Sequence, residues 1–424
     1  MDVRSAYLNG DLKEEIYMRQ PEGFVSPGQE SLVCRLQKSL YGLKQAGRTW
    51  NQRIDTELKA KSFIPIVADP CVYAYRRGST IVIISLYVDD LLLCSDSLAQ
   101  LERVKAELSA SFQMEDLGEA HFVLGIEITR DRKARTLTIS QSAYVTDVIK
   151  RFDMADCHPT STPMDPGAHL LKAADNDVLD AVGVKQYQSA VGALMYAAQG
   201  TRPDIAYAMT VLSQFNSAPS AEHWKAVKRV MRYLRGTTHY GITYRGLDSS
   251  MEEPTLHGYC DSNYAEDLND RKSVTGYAFL LSGAAVSWQA KKQPSVATST
   301  TEAEYMAASE AAKEAIWWRS FMVSLGYDVT AATRIQSDNQ SSIKLSKNPE
   351  HHKRSKHIDV RHHFIREKVN EGTIDLMYVN TSEMAADILT KPLVKVKHDA
   401  GVTLLGMRTT LPAPSSSSTS VHAA

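Results

Sequence analysis

Cysteine is scarce in this chain. Its 424 residues hold five, Cys34, Cys71, Cys94, Cys157 and Cys260, widely scattered and with no CxxC pair. That excludes a zinc ribbon or a disulfide framework and suits a reducing compartment. No apolar run approaches the length of a membrane span, and the opening residues do not read as a secretory signal, so no membrane partner is expected. A G-x-S-x-G nucleophile motif is absent, which leaves a serine-hydrolase reading without its central residue. No internal repeat is found. Neither charge sign is in excess, the net being −1. A polyanionic partner would therefore have to be met by a local concentration of positive charge. What is present is an ordinary globular mixture, 43% apolar and 23% charged. It is long enough for about two to three domains with real cores.

The most informative stretch is Ile81-Val82-Ile83-Ile84-Ser85-Leu86-Tyr87-Val88-Asp89-Asp90-Leu91-Leu92-Leu93-Cys94. Two apolar runs of strand length flank adjacent acids, which predicts a hairpin turning at Val88-Asp89-Asp90. Two carboxylates at such a tip repel each other and resist desolvation, and a divalent cation beside them is the usual remedy. The plainer reading is that Asp-Asp merely makes a turn.

Around it, residues 2–8 read as a strand that runs into the Asn9-Gly10-Asp11 turn. Leu40-Tyr41-Gly42-Leu43-Lys44-Gln45-Ala46-Gly47-Arg48-Thr49-Trp50 interleaves basic and aromatic residues before a helical pattern through Ile54 and Leu58. Such a mixture suits phosphate contact with base or sugar stacking, although a surface helix with its lysines in water explains it too. A helix is predicted over 98–113, a hairpin over 122–140 and a helix over 142–152. His158–Gly167, rich in proline, reads as an extended linker. An all-helical region follows over roughly 184–236. From about 255 the order is three strands (255–261, 275–281, 285–289), a long helix (301–325), a strand (333–337), helices through 370, a strand (374–379) and a final helix (383–393). That order implies a mixed sheet with helices packed on it. The stretch from Pro412 is low-complexity, and 396–424 is expected to be a disordered tail.

A second set of acids lies on this second unit. Asp261 ends the first strand, Glu304 lies in the first turn of the long helix, Asp338 follows the fourth strand and Asp387 lies on the last helix. Ala308, Ala311 and Ala315 give that long helix a small-residue face for close approach to a sheet. Four carboxylates at one sheet edge would bind two hard cations about 4 Å apart, the arrangement that breaks a phosphodiester with water. Singly, Glu304 and Asp338 are also explained as helix-start residues. Glu302 competes with Glu304. Asp359 competes with Asp387, which is favoured because it follows the last strand. Residues 344–368 carry a local excess of five positive charges. Their histidines (His351, His352, His357, His362, His363) raise a zinc alternative that lacks any nearby cysteine.

Tyr87-Val88-Asp89-Asp90 resembles the signature of reverse transcriptases. Asp2-Val3-Arg4-Ser5-Ala6-Tyr7-Leu8-Asn9-Gly10-Asp11-Leu12, Leu40–Ala46 and Leu124-Gly125-Ile126 are similar to the Ty1/copia class of LTR retrotransposon polyproteins. Residues 255–393 resemble the ribonuclease H domain of that class, through Tyr259-Cys260-Asp261-Ser262, Ser299–Tyr305, Ser337-Asp338-Asn339-Gln340 and Ala386-Asp387-Ile388-Leu389-Thr390-Lys391-Pro392-Leu393. The likeness covers nearly all of the chain to about residue 395.

The resemblance implies an α+β and α/β chain. It would have a reverse-transcriptase palm (1–157) without the fingers that precede it in the family, a linker and helical thumb or connection (158–250), and a ribonuclease H domain (251–395). The last would carry a mixed five-stranded sheet with flanking helices. It also implies Mg²⁺, or Mn²⁺, two per site. In the palm Asp2 and Asp89 would hold the ions and Asp90 would be the less direct partner; in the second site Asp261, Glu304, Asp338 and Asp387 would hold them. Tyr7 would sit where the family excludes a ribose 2′-hydroxyl, though alone it reads as a core aromatic. Lys44, Gln45 and Tyr87 would lie near nucleotide and template, Gly125 would support the primer end, and Gln340 would contact substrate. Partners would be an RNA template, a DNA primer, the RNA–DNA hybrid and dNTPs, with self-association or other element-encoded proteins also allowed. The place of action would be cytoplasmic virus-like particles, with the nucleus as a second site. The expectation is an RNA-directed DNA polymerase, truncated at its start, with ribonuclease H activity. The alternative is a decayed remnant that binds RNA or hybrid without turnover.

Overall fold

The structure, a computed structural model, describes residues 1–246, 255–347 and 359–410, with the side chains of 359–362 left aside. The chain folds as two compact units, residues 1–120 with 320–328, and the rest.

The first unit holds β1 (Asp2–Val3), β2 (Tyr17–Arg19), β3 (Val33–Arg35), α1 (Ala46–Ala60), β4 (Ile64–Pro65), β5 (Val72–Arg77), β6 (Thr80–Tyr87), β7 (Asp90–Ser95), α2 (Leu98–Ser111) and β8 (Met114–Glu115). Six of these strands form an antiparallel sheet in the order β4-β5-β6-β7-β1-β8, and β2 pairs β3 separately. Val82, Ile84 and Leu86 alternate inward along β6, as a half-buried strand requires. Ala46, Trp50, Ile54 and Leu58 recur every fourth residue on α1, which gives one apolar stripe. With Val104 and Leu108 of α2 these side chains make the core of the unit. The strand expected over 2–8 is only two residues long. Ser5 turns left-handed (φ 54°) and Ala6–Asn9 form a 3₁₀ turn, closed by the Asn9 amide donating to the carbonyls of Ser5 and Ala6 at 3.3 Å each.

The second unit begins with β9 (Phe122–Val123), β10 (Ile126–Asp131), β11 (Thr136–Ser140) and α3 (Ser142–Arg151). It continues through α4 (Ala181–Gly200), α5 (Ala206–Ser213), α6 (Ala221–Gly236) and β12 (Tyr240–Arg245). Then come β13 (His257–Ser262), β14 (Val274–Leu281), β15 (Ala284–Lys292), α7 (Thr300–Ser324), β16 (Thr333–Ser337), α8 (Gln340–Lys347), α9 (Asp359–Asn370), β17 (Ile374–Tyr378), α10 (Lys395–Leu404) and β18 (Met407–Thr409). The anticipated mixed sheet is present as β15-β14-β13-β16-β17, with β16 parallel to both its neighbours. Its core lies under α7, whose Ala308, Ala311, Ala312 and Ala315 let the helix lie close.

The structure bears on several of the sequence expectations. Compactness does not divide the chain at 157: the two units part after Ala120, because β11 pairs β12 and α3 shares one core with α4 and α6. Nor do 158–250 and 251–395 form separate bodies, since α5 packs on β15, with Thr210 Oγ1 donating to the Ala290 carbonyl at 2.7 Å. The His158–Gly167 stretch is extended but not a free linker. Thr162 and Met164 are buried, and Arg232 of α6 donates to the His158 carbonyl at 2.7 Å. Finally, residues 396–410 are not a disordered tail. They supply most of α10 and all of β18, which pairs β12 to complete a sheet β18-β12-β11-β10-β9. Residues 411–424 lie outside the described residues. The helix expected over 383–393 is two short 3₁₀ turns, Thr381–Glu383 and Asp387–Leu389. Among the described residues no helix is long and apolar enough to cross a membrane.

Candidate active sites

In the first unit the β6–β7 hairpin turns where the sequence placed it. Tyr87 pairs Asp90, and Val88 sits in the left-handed region at φ 55°. A β-branched residue avoids that region, so something must hold it there. The buried Trp50 donates its indole N–H to the Val88 carbonyl at 2.5 Å. Next to the turn, Asp2 stands opposite Asp90 in register, and the Val3 amide donates to the Asp89 carbonyl at 2.9 Å. Asp2, Asp89 and Asp90 thus adjoin across two strands. Burial, followed by the charges of Asp89 and Asp90, raises the Asp2 carboxyl above the ordinary aspartate range. Glu115 of β8 pairs Asp2 from the other side and adds to that field, a neighbour missed in the sequence. Tyr7 is half-buried, and its ring lies against Tyr41 with centroids 4.7 Å apart. Lys44 is exposed and Gln45 half-buried at the start of α1; neither is hydrogen-bonded to the acids. Tyr87 is exposed.

The second unit gathers its acids more tightly. Carboxylate oxygens of Asp261, Glu304 and Asp338 lie within 4.8 Å of one another, and no other group of this kind occurs among the described residues. Asp261 is buried near the end of β13, Asp338 follows β16, and Glu304 lies one turn into α7. Thr381 Oγ1 donates to Asp338 Oδ2 at 2.7 Å. Burial, then Asp261 and Asp338, push the Glu304 carboxyl up to about 9. Its Oε2 is buried with no hydrogen-bond partner. Three acids so placed repel unless one keeps its proton or a cation joins them.

Asp387 reaches the same place by another route. Gly276 of β14 faces Asp261 in register, and a Cβ there would lie 2.6 Å from Thr390 Cγ2 and 2.8 Å from Leu389 Cβ. The bare glycine therefore lets the Asp387–Leu389 turn settle on the sheet. Thr390 Oγ1 donates to Asp261 Oδ2. Lys391 Nζ lies 2.8 Å from Asp387 Oδ1 and 3.4 Å from Asp261 Oδ2. Burial and the Asp261 charge push the Asp387 carboxyl up to about 6, against the pull of Lys391. Lys391 was not singled out in the sequence, although its i,i+4 spacing from Asp387 was a usable signal.

Glu302 and Glu304 take different positions. Glu302 Oε2 accepts from the Thr298 amide and hydroxyl at 2.6 Å each, so it caps its own turn, whereas Glu304 faces Asp261. Asp359 begins α9, but its side chain, like most of the histidine cluster and the basic stretch, lies outside the described residues. Gln340 is exposed at the first position of α8. Gly125, in the second unit, turns at φ 75° between β9 and β10. A Cβ there would meet Tyr196 Oη at 3.1 Å, whose hydroxyl donates to the Leu124 carbonyl.

A family profile described as reverse transcriptase (RNA-dependent DNA polymerase) matches residues 1–166. The retrovirus-related Pol polyprotein from transposon TNT 1-94 of Nicotiana tabacum is 45% identical over 96% of this chain and 30% of its own length. That from transposon RE1 of Arabidopsis thaliana is 38% identical over 93% of this chain and 26% of its own. A Ty5-1 transposon protein of Saccharomyces cerevisiae is 35% identical over 74% of this chain and its entire own length. The chain spans less than a third of either plant polyprotein.

Proposed function

This chain belongs to the reverse transcriptase family of copia-type retrotransposon Pol polyproteins, and from that premise we propose that its second unit is a ribonuclease H that cuts the RNA strand of an RNA–DNA hybrid. The observation that carries the proposal is the convergence of Asp261, Glu304 and Asp338 within 4.8 Å, with Asp387 brought alongside. The donor set is all oxygen, and the orphaned Glu304 Oε2 leaves a lone pair for a cation, so the residues fit Mg²⁺ or Mn²⁺. Such an ion, when bound, acidifies a water and neutralises phosphate charge. Asp261, Glu304 and Asp338 would hold it and give up the Glu304 proton as they do so. Thr390 fixes Asp261, and Thr381 fixes Asp338, each through its hydroxyl.

For the first unit we propose the palm of an RNA-directed DNA polymerase. Asp2 and Asp89 would carry the ions, Asp90 would support them, and Tyr7 would meet the sugar of the incoming dNTP. The register Asp2↔Asp90 supports this reading. RNA template, DNA primer and dNTPs are the proposed partners, with Lys44, Gln45 and Tyr87 near nucleotide and template, Gly125 at the primer end and Gln340 at the hybrid.

The decisive experiment incubates the full chain with an RNA–DNA hybrid and Mg²⁺. RNA fragments should appear, and Asp261→Asn should reduce their yield by about a hundredfold or more. Fragments that persist undiminished in Asp261→Asn would end the ribonuclease reading. Salt-sensitive binding with no product would favour a non-catalytic hybrid binder instead. Primer extension, compared between wild type and Asp89→Asn, tests the palm in the same way.

A further inference from the structure

Lys391 occupies an unusual position for a lysine. Its ammonium sits between two of the four acids, 2.8 Å from Asp387 and 3.4 Å from Asp261, and the side chain is only 29% exposed. It approaches Asp261 at Oδ2, the oxygen already engaged by Thr390. Among the described residues no ammonium or guanidinium is paired with Glu304 or Asp338 in this way, although the Lys391 charge also reaches Glu304. Four acids are therefore split into two differently served pairs. Asp261 and Asp387 hold a fixed positive charge in direct contact, whereas Glu304 and Asp338 pair with no such ammonium among the described residues. Burying an ammonium is costly unless carboxylates repay the lost solvation, and here two do so.

Resting on the ribonuclease H reading above, we propose that Lys391 is the resident cation of this site. It stands in for one divalent ion on the Asp261–Asp387 side, so that this site at rest binds a single Mg²⁺ or Mn²⁺ tightly, through Asp261, Glu304 and Asp338. A second ion enters only by displacing the ammonium. Lys391 is a positioning residue in this scheme, since it holds two ligands rather than reacting. The turn that carries it lies on the sheet because Gly276 leaves room, so its reach to both acids is set by the fold rather than by a flexible stem.

The test counts ions rather than turnover. Mn²⁺ titrated into the full chain carrying Asp2→Asn and Asp89→Asn, which removes the palm ligands, and followed by electron paramagnetic resonance should show one tight site, with a second weaker by about tenfold or more. Lys391→Met should tighten the second site about tenfold, and Lys391→Arg, which keeps the charge, should not. A palm-silenced chain with Lys391 intact that takes up two ions with like affinity overturns the assignment, even if the methionine variant fails to fold. So does a folded Lys391→Met chain with the wild-type profile. A chain whose Mn²⁺ uptake is unchanged by Glu304→Gln overturns the metal-site reading itself. Loss of uptake in Glu304→Gln combined with wild-type behaviour in Lys391→Met sinks only the role of the lysine.

Discussion

Val88 and Glu304 show how a single side chain is held against its own preference. Val88 is partly exposed and adopts φ 55° with a β-branched side chain, anchored by the Trp50 indole. Asparagine tolerates that conformation, so Val88→Asn should stabilise the first unit by about 1 kcal/mol. A denaturant midpoint that falls instead would show that the valine is unstrained. Glu304 is a protonation problem. Its folded carboxyl sits at about 9 against an ordinary 4.5. Between those values the folded chain keeps a proton that the unfolded chain has released. Without metal, stability must therefore fall as pH rises through that window, by at most about 1.4 kcal/mol per pH unit from this group. Melts in EDTA from about pH 5 to about pH 9 should show the decline, Glu304→Gln should flatten it, and Mg²⁺ should restore stability most at the alkaline end. Identical slopes for wild type and Glu304→Gln would count against the assignment.

Secondary-structure elements decide which acids meet. Strand ends and helix starts bring Asp261, Glu304 and Asp338 together, and that edge was foreseeable from element order alone. Asp387 depends on a feature with no charge at all, the missing side chain of Gly276. Gly276→Ala puts a methyl against Thr390 and Leu389, where backbone as well as side chains must shift. It should cost about 1–3 kcal/mol and weaken Mn²⁺ binding as Asp387 and Thr390 retreat. Chemical denaturation and the same resonance titration check both effects. A neutral outcome would mean that the 386–390 turn is free to move.

For the molecule as a unit, the segment after Val394 matters more than its composition suggested. Leu405 and Met407 are almost wholly buried, Val402 is buried beside them, and β18 hydrogen-bonds to β12. Truncation after Val394 should destabilise the second unit by several kcal/mol, since each buried aliphatic side chain lost costs about 2–5 kcal/mol. A melt unchanged by that truncation would contradict the sheet order. The segment escaped a sequence reading because β18 is only three residues long and its partner β12 lies far back in the chain. A strand that short carries no periodicity of its own.

Local pattern was enough for the elements with strong periods. The Asp89–Asp90 hairpin, the apolar stripe of α1 and the alanine face of α7 all follow from 2- or 3.6-residue spacing, and the acids are visible because their chemistry resists burial. Pattern could not choose between Glu302 and Glu304, two residues apart on one helix. That choice came from which one points at Asp261 and which one caps its turn. Nor could it place Lys391 between Asp261, 130 residues back in the chain, and Asp387, four residues back, or merge the helical region with the mixed sheet. Those outcomes depend on long-range packing, in which a glycine, a short strand and a buried ammonium act through partners that no local window contains.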